Sequence, residues 1–243
     1  MSIKKILKKL VWGPKASSES YIAYLRSIGV RIGEGVTIYA PMKTVIDEQY
    51  PWMITIGNNV KITQGVVILT HDYSWSVLKH AKNGAVFGAS GTVNIGDNVF
   101  IGMNSIIVRG VTIGNNVIIG AGSVVTKDCL DNGVYAGNPA RKIAELDVYF
   151  EKRRDVQLQE AKKLAHCYYS RFGKYPPEEV FHEYFMLFAD SKSAKQRKYC
   201  SEKTKLGQDS EETIGYLSLH PPLFNGYEAF MEFCFAEKNN EKN

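Results

Sequence analysis

Isoleucine recurs every six residues through the middle of this chain, and no other feature constrains the fold as strongly. The series runs through Ile95, Ile101, Ile107, Ile113 and Ile119, and Val125 continues it. A period of six fits neither an α-helix, which repeats every 3.6 residues, nor a hairpin strand, which repeats every two. It indicates a solenoid of short parallel strands, in which the branched residue points inward and Gly, Asn or Asp turns each corner.

The same period appears upstream in two shorter blocks. Their isoleucines are Ile32 and Ile38, followed by Ile56, Ile62 and Ile68. Three hexads complete one triangular turn, so residues eighteen apart, such as Ile95 and Ile113 or Ile101 and Ile119, should stack along one face. An ordinary β-sandwich with coincidental spacing is the alternative, and the number of consecutive matches argues against it.

The fold class expected is mainly β, a parallel β-helix with helical additions at both ends. Residues 1–27 are predicted to be a helical segment, and residues 28–144 carry the hexads. A protruding loop at 70–92 interrupts the period, and residues 145–243 form an α-helical extension. Within that extension we predict a long helix from about Asp147 and a second one that begins at Pro176 and Pro177.

Composition narrows the functional classes. The 243 residues carry a net charge of +5, which is far from the basic stripe of a nucleic-acid-binding protein. The four cysteines, Cys129, Cys167, Cys200 and Cys234, are far apart with no CxxC pair. They are typical of reduced thiols in a cytoplasmic protein, and neither disulfides nor a metal site is expected.

The first eleven residues predict a short basic amphipathic helix, with apolar residues on one face and Lys4, Lys5, Lys8 and Lys9 on the other. No segment approaches the length of a membrane-spanning helix. The amphipathic helix fits packing against the solenoid, and it also fits transient contact with an anionic membrane surface, which would be peripheral attachment at the inner membrane face.

The hexads, the THD sequence in the loop and the closing run AGNPARKI together resemble the hexapeptide-repeat acyltransferases, whose fold is a left-handed β-helix. The resemblance is greatest to the maltose/galactoside O-acetyltransferase-like branch, which includes acetyltransferases of surface polysaccharides and of chloramphenicol-type drugs. It covers about residues 28–144. It implies a homotrimer with active sites between neighbouring subunits. It also implies acetyl-CoA as co-substrate, no metal, and a carbohydrate acceptor.

His71 occupies the position that matches the family's catalytic histidine. A neutral imidazole suits a general base that takes the acceptor's proton as its oxygen attacks the thioester. The adjacent Asp72 is expected to shape the loop or bind acceptor rather than orient His71. Tyr73 and Trp75 are candidates for stacking on a sugar or for anchoring the loop, and His80 for a second acid/base or loop surface.

The resemblance also assigns a cofactor-binding edge. Gly102 and Gly120 would keep side chains away from the pantetheine arm, and Met103 and Ala121 would contact it through their main chains. The phosphates of the nucleotide end would meet three basic side chains, which are Lys127, Arg141 and Lys142.

Two other classes of solenoid protein fit the sequence less well than an acyltransferase does. A γ-type carbonic anhydrase needs three zinc-binding histidines on adjacent coils, and the hexads hold none beyond His71. A non-enzymatic solenoid would not need the loop histidine or the basic exit. Among enzymes, the leading interpretation is an O-acetyltransferase acting on a sugar of a surface polysaccharide or its precursor. The alternatives are an N-acetyltransferase of a nucleotide-linked amino sugar and a drug acetyltransferase.

Overall fold

Short parallel strands stack into the first of two units in the computed structural model, which describes residues 10–198, 200 and 210–239. The boundary between the units falls between Tyr149 and Phe150, a few residues beyond the 144/145 division taken from the sequence. The predicted amphipathic helix lies mostly outside the described residues. No helix among the described parts of the chain is long and apolar enough to cross a membrane.

Three parallel sheets form the sides of the solenoid, and successive strands of the chain fall on successive sheets. The first sheet contains β1 (Arg31–Ile32), β4 (Ile54–Ile56), β9 (Val93–Ile95) and β12 (Thr112–Ile113). The second contains β2 (Thr37–Ile38), β5 (Lys61–Ile62), β10 (Val99–Ile101), β13 (Val117–Ile119), β15 (Gly133–Ala136) and the antiparallel edge strand β16 (Arg141–Glu145). The third contains β3 (Val45–Ile46), β6 (Val67–Ile68), β11 (Ile106–Ile107) and β14 (Val124–Val125).

The register has the stacking that the six-residue period predicts. Ile113 pairs with Ile95, and Ile119 pairs with Ile101 on the next side. These side chains are 0–2 % exposed. Burying one side chain of this kind stabilises a fold by roughly 1.5–3 kcal/mol, so the isoleucine ladders are the main apolar contribution to the solenoid.

Asparagine turns one corner of successive coils. Asn98, Asn116 and Asn132 all have φ near +55°, a conformation that asparagine tolerates better than most residues. Their amides form a ladder, with Nδ2 of Asn98 donating to Asn116 at 2.8 Å and Nδ2 of Asn116 donating to Asn132 at 3.0 Å. The corner is therefore fixed by backbone conformation and by hydrogen bonds between coils.

The segment at 70–92 is a hairpin arm with a helix at its tip, rather than a simple loop. Strand β7 (His71–Asp72) pairs antiparallel with β8 (Ala89–Ser90), and helix α2 (Trp75–Ala81) lies between them. Upstream, helix α1 (Ser18–Ser27) packs into the first unit. Its Tyr21 and Leu25 are buried in the solenoid core, so this helix is part of the first unit.

The second unit is helical and has its own core. It contains most of α3 (Leu146–Phe172), followed by α4 (Ser191–Gln196), α5 (Ser210–Leu219) and α6 (Tyr227–Asn239). The predicted second long helix from Pro176 is wrong. The chain instead forms two 3₁₀ turns, Glu178–Phe181 and Phe185–Leu187. Leu187, Phe188 and Ala189 are all buried, and a single helix face cannot bury three consecutive residues.

The remaining short elements are 3₁₀ turns in the first unit. They span Gly13–Ala16, Pro41–Lys43 and Pro51–Met53. The last of these lies in the connection between the first and second coils, next to the hairpin arm in the stack.

Candidate active site

His71 lies at the base of the hairpin arm and contacts a buried carboxylate. Its Nδ1 is 2.6 Å from Oδ2 of Asp47, whose side chain is only 4 % exposed. Because an ionised carboxylate can only accept hydrogen bonds, this contact assigns the proton of a neutral ring to Nδ1. The other ring nitrogen, Nε2, makes no hydrogen bond with any described residue. The pair therefore holds an imidazole with a basic nitrogen available to a ligand.

Asp47 is ionised because its surroundings supply donors. Burial alone would raise its pKa, but hydrogen bonds from the side chain and backbone of Thr70, from the backbone of Gln49 and from His71 outweigh burial and lower the pKa. Oδ2 accepts the Thr70 N–H at 2.9 Å and the Thr70 hydroxyl at 2.5 Å, and Oδ1 accepts the Gln49 N–H at 2.9 Å. Such a carboxylate is fixed in position as well as charged.

Sequence reasoning missed Asp47. Val45–Ile46 is the last strand of the first coil and stacks on Val67–Ile68, which is separated from the THD sequence only by Leu69. The sequence did contain a signal for this contact, because Asp47 is an acidic residue directly after a strand in the coil next to that of His71.

Aromatic rings surround His71. The rings of Tyr50 and Tyr73 stand edge-on to the imidazole, with centroids at 5.6 and 4.9 Å. Trp52 contacts Tyr50 on one side, and Trp75 contacts Tyr73 on the other. Trp52 is 66 % and Tyr73 56 % exposed. The structure thus brings the predicted Tyr73 and Trp75 to the histidine and adds two rings that the sequence did not single out.

Asp72 shapes the arm and does not contact the imidazole. Its Oδ1 accepts the backbone N–H and the hydroxyl of Ser74, and its Oδ2 is 2.7 Å from Nε of Arg109. The Ser74 hydroxyl and then Arg109 hold the pKa of Asp72 far below its usual range. Arg109, which lies in the turn after β11, therefore ties the arm to the third coil.

His80 is exposed on α2 and makes no hydrogen bond with the described residues. The structure does not bring it to the Asp47–His71 pair. Of the two histidines in the arm, only His71 has a charged partner.

The four residues predicted to line the pantetheine arm share one corner of the solenoid. Gly102 and Gly120 directly follow β10 and β13, which are neighbouring strands. The coils are so close here that a Cβ on Gly102 would be 2.4 Å from the backbone nitrogen of Ala121. The Met103 carbonyl accepts the Gly122 N–H at 2.7 Å, while the side chain of Met103 is 45 % exposed.

The predicted phosphate-binding residues lie near the last coil. Lys127 is exposed just after β14, and Arg141 follows Ala140, whose N–H donates to the carbonyl of Val124 at 2.8 Å. Lys142 is engaged by Glu145, with its Nζ 2.6 Å from Oε2, and this hydrogen bond raises the lysine pKa. Lys127 and Arg141 therefore present cations to solvent, whereas Lys142 already has a carboxylate partner.

The chain is similar in sequence to several known proteins. A family model described as bacterial transferase hexapeptide (six repeats) matches residues 92–127. Protein CapG of Staphylococcus aureus is 38 % identical over 179 residues, which cover 74 % of this chain and 94 % of CapG. Galactoside O-acetyltransferase of Escherichia coli (strain K12) is 41 % identical over 127 residues, which cover 50 % of this chain and 57 % of that enzyme.

Among solved structures, a maltose O-acetyltransferase from Clostridium difficile 630 is 31 % identical, with 53 % of this chain and 75 % of that chain covered and a TM-score of 0.39. The similarity to CapG extends over nearly all of that relative. The chain therefore belongs to the hexapeptide-repeat transferase family and is an acyltransferase. Among the described residues, no group of three or more His, Cys, Asp and Glu side chains is arranged to hold a metal ion.

Proposed function

We propose that this protein transfers an acetyl group from acetyl-CoA to a hydroxyl of a sugar, with His71 as the general base. The observation that carries the proposal is the buried Asp47 carboxylate 2.6 Å from Nδ1 of His71, beside exposed aromatic rings. Hexapeptide-repeat acyltransferases have a left-handed β-helix, and we infer the same handedness for the solenoid of this protein.

The reaction requires one proton to move twice. The acceptor hydroxyl attacks the thioester carbonyl while Nε2 of His71 takes its proton, and a C–O bond forms. The tetrahedral intermediate then collapses, the C–S bond breaks, and the imidazolium returns the proton to the leaving thiolate. Asp47 stays ionised throughout and stabilises the imidazolium, which is the role of the carboxylate in a Ser-His-Asp triad.

The aromatic rings favour a carbohydrate acceptor. Tyr73 contacts the base and Trp52 contacts Tyr50, the other ring beside it; both are large and exposed, and flat rings of this kind pack well against the apolar face of a sugar. A relative named galactoside O-acetyltransferase supports the same substrate class. A polysaccharide or its precursor is the acceptor that we expect.

Acetyl-CoA would bind along the corner formed by Gly102, Met103, Gly120 and Ala121. The close approach of the coils leaves backbone rather than side chains at this edge, which suits an extended pantetheine arm. Lys127 and Arg141 would meet the anionic nucleotide end, and Lys142 would do so only by exchanging Glu145 for a phosphate.

We also infer a homotrimer. Phe100 lies on the outer face of the second sheet and is 42 % exposed, and Val86 and Phe87 of the arm are 54 % and 71 % exposed. Exposed apolar residues on a strand face and a projecting arm suit burial against copies of the same chain. Light scattering should give a mass near three times 27.2 kDa, and a clean monomer would contradict the trimer. The cytoplasmic location and the membrane contact stay predictions.

The test of the base is His71→Ala, with His80→Ala as a matched control from the same arm. Turnover should fall by roughly 10²–10⁴-fold in the first variant and stay near normal in the second. Thiol release from acetyl-CoA is measured with sugars, oligosaccharides, nucleotide-linked amino sugars and chloramphenicol as acceptors. Near-normal turnover of His71→Ala would remove the assignment. Preference for an amine acceptor would instead indicate an N-acetyltransferase.

A further inference from the structure

A cleft of about 720 Å³ opens within the second unit. Its walls come from α3, from the turn that ends at Leu187, and from α5 with the segment after it. Leu187 and Leu217 form a buried apolar floor. This volume lies within the roughly 300–1,000 Å³ of typical ligand sites, which is enough for a short oligosaccharide.

One wall of the cleft is a flat aromatic surface. The rings of Tyr216 and His220 stack with centroids 4.0 Å apart and planes 15° apart. Nδ1 of His220 donates to the carbonyl of Tyr216 at 3.0 Å, which fixes the imidazole against the helix end. Tyr216 keeps 38 % exposure, so its ring remains accessible. Such a surface can pack against the C–H face of a pyranose ring.

The charges that line the cleft argue against an anionic ligand. The lining contains two arginines, Arg153 and Arg154, and two glutamates, Glu183 and Glu212, so that the fixed charges balance. Both arginines also have carboxylate partners on their own helix. Arg153 makes a two-pronged pair with Glu160 at 2.9 and 2.5 Å, and Arg154 bonds Glu151. A phosphate-rich ligand such as a nucleotide needs uncompensated cations, whereas a neutral sugar does not.

Polar groups for hydroxyl recognition are present. Gln157 projects from α3 into the cleft, and its amide makes no hydrogen bond with any described residue. An amide offers both a donor and an acceptor, as a sugar hydroxyl does. The guanidinium of Arg153, held by Glu160, adds planar N–H groups beside it.

From these features we infer that the cleft binds a neutral oligosaccharide segment of the acceptor, other than the sugar that receives the acetyl group. The inference rests on the proposed sugar acetylation and extends it to a second glycan-binding site. The ring stack supplies the platform, Gln157 and Arg153 supply hydrogen bonds, and the balanced charge selects against anionic ligands. An oligosaccharide could then bind at the cleft as well as at His71, whereas a monosaccharide would bind only at His71.

The test measures binding without acetyl-CoA, so that no transfer takes place. The probes are neutral tetrasaccharides of glucose, galactose and N-acetylglucosamine, with their monosaccharides for comparison, studied by saturation-transfer NMR and calorimetry. At least one tetrasaccharide should bind, and Tyr216→Ala should weaken that binding about tenfold because the platform is lost. Tyr216→Phe, which keeps the ring, should bind within about twofold of the wild type.

The matched control is Tyr168→Ala. Tyr168 contacts Phe172 four residues later on α3, the same spacing as Tyr216 and His220, but it does not line the cleft. Its removal should leave tetrasaccharide binding unchanged. Gln157→Ala is a second variant that removes no hydrogen bond between described residues, and about threefold weaker binding is expected from the loss of hydrogen bonds to a hydroxyl.

The inference is overturned if no tetrasaccharide binds the wild-type protein, or if Tyr216→Ala and Gln157→Ala bind as well as the wild type. It is also overturned if these substitutions change the mass in solution, since the cleft would then be a subunit contact. Failure of the proposed reaction has a different signature. Undiminished turnover of His71→Ala would end the acetylation mechanism but would leave the tetrasaccharide binding data as they are.

Discussion

Asp47→Asn is the most informative change in the active site, because it removes one charge and almost no volume. Asp47 accepts four hydrogen bonds, three at Oδ2 from Thr70 and His71 and one at Oδ1 from Gln49. An asparagine replaces one of these oxygens by an NH₂ donor. If the NH₂ faces Gln49, only the contact with the Gln49 N–H is lost. If it faces His71, the contact with the Thr70 N–H is lost, and the other two survive only if the Thr70 hydroxyl rotates to accept and the imidazole proton moves to Nε2. The oxygen should therefore remain on the His71 side.

This orientation sets the size of the effect. Nδ1 of His71 keeps its proton and its acceptor, so the basic Nε2 is retained, but the neutral amide no longer stabilises the imidazolium. We expect turnover to fall about 10²-fold, the lower end of a general base's contribution, which corresponds to about 2.7 kcal/mol. The KM for acetyl-CoA should not change. The unmatched Gln49 N–H should lower the free energy of unfolding by about 1–3 kcal/mol.

The assay is the initial rate of thiol release at saturating acceptor, together with ¹⁵N NMR of the His71 ring to report which nitrogen carries the proton. Glu48→Gln is the control, since it removes the next carboxylate along the chain, which accepts a hydrogen bond from Tyr24 at 2.8 Å and is exposed. It should retain near-normal turnover. If Asp47→Asn turns over within threefold of the wild type, Asp47 does not assist His71 and the reasoning fails.

Three further predictions follow from contacts around the site. Arg109→Ala releases the arm at Asp72 and should lower kcat/KM about 3–10-fold, without moving the midpoint of chemical unfolding, since exposed pairs add little stability. Because the pKa of Asp47 is depressed on folding, its ionisation stabilises the fold above the ordinary value of 3.8, and this stabilisation is lost as the pH falls further. The difference in unfolding free energy between wild type and Asp47→Asn should therefore shrink below about pH 4 in acid titrations, and a constant difference would refute the linkage. Gly102→Ala should cost about 1–3 kcal/mol in denaturant unfolding and weaken CoA binding in calorimetry, whereas Gly88→Ala, with open space around it, should do neither.

The six-residue period was sufficient to predict the solenoid because each hexad repeats one physical solution. A branched residue fills the core, a small residue follows, and Asn or Gly turns the corner. Where this pattern was unbroken, from Ile95 to Val125, the pairing in the structure has the predicted spacing of eighteen. Local chemistry and global fold agree there, so sequence alone determines the register.

The second unit shows where such reasoning stops. Its helices are not repeats, and the segment after Pro177 has apolar residues at helical spacing. The segment nevertheless forms 3₁₀ turns. The rings of Phe181 and Phe188 both pack against Phe230, with centroids 5.1 and 5.3 Å from its centroid. That arrangement is set by the helix Tyr227–Asn239, some forty residues further along the chain. Tertiary contacts of this range override local periodicity and leave no short-range signal in the sequence.

The Asp47–His71 pair went unpredicted for a related reason, which lies in the insertions rather than the repeats. Ile46 and Ile56 are ten residues apart instead of six, and Ile68 and Ile95 are twenty-seven apart. Both insertions leave the third sheet and return to the first, so they project from the same corner on consecutive coils. The shorter one carries Asp47, Tyr50 and Trp52, and the longer one carries His71, Tyr73 and Trp75. Stacking the coils therefore brings the carboxylate to the imidazole and the two sets of rings together. In a solenoid, insertions at the same corner of consecutive coils therefore indicate a site that is built from both insertions. The regular coils between them leave no room for such a site.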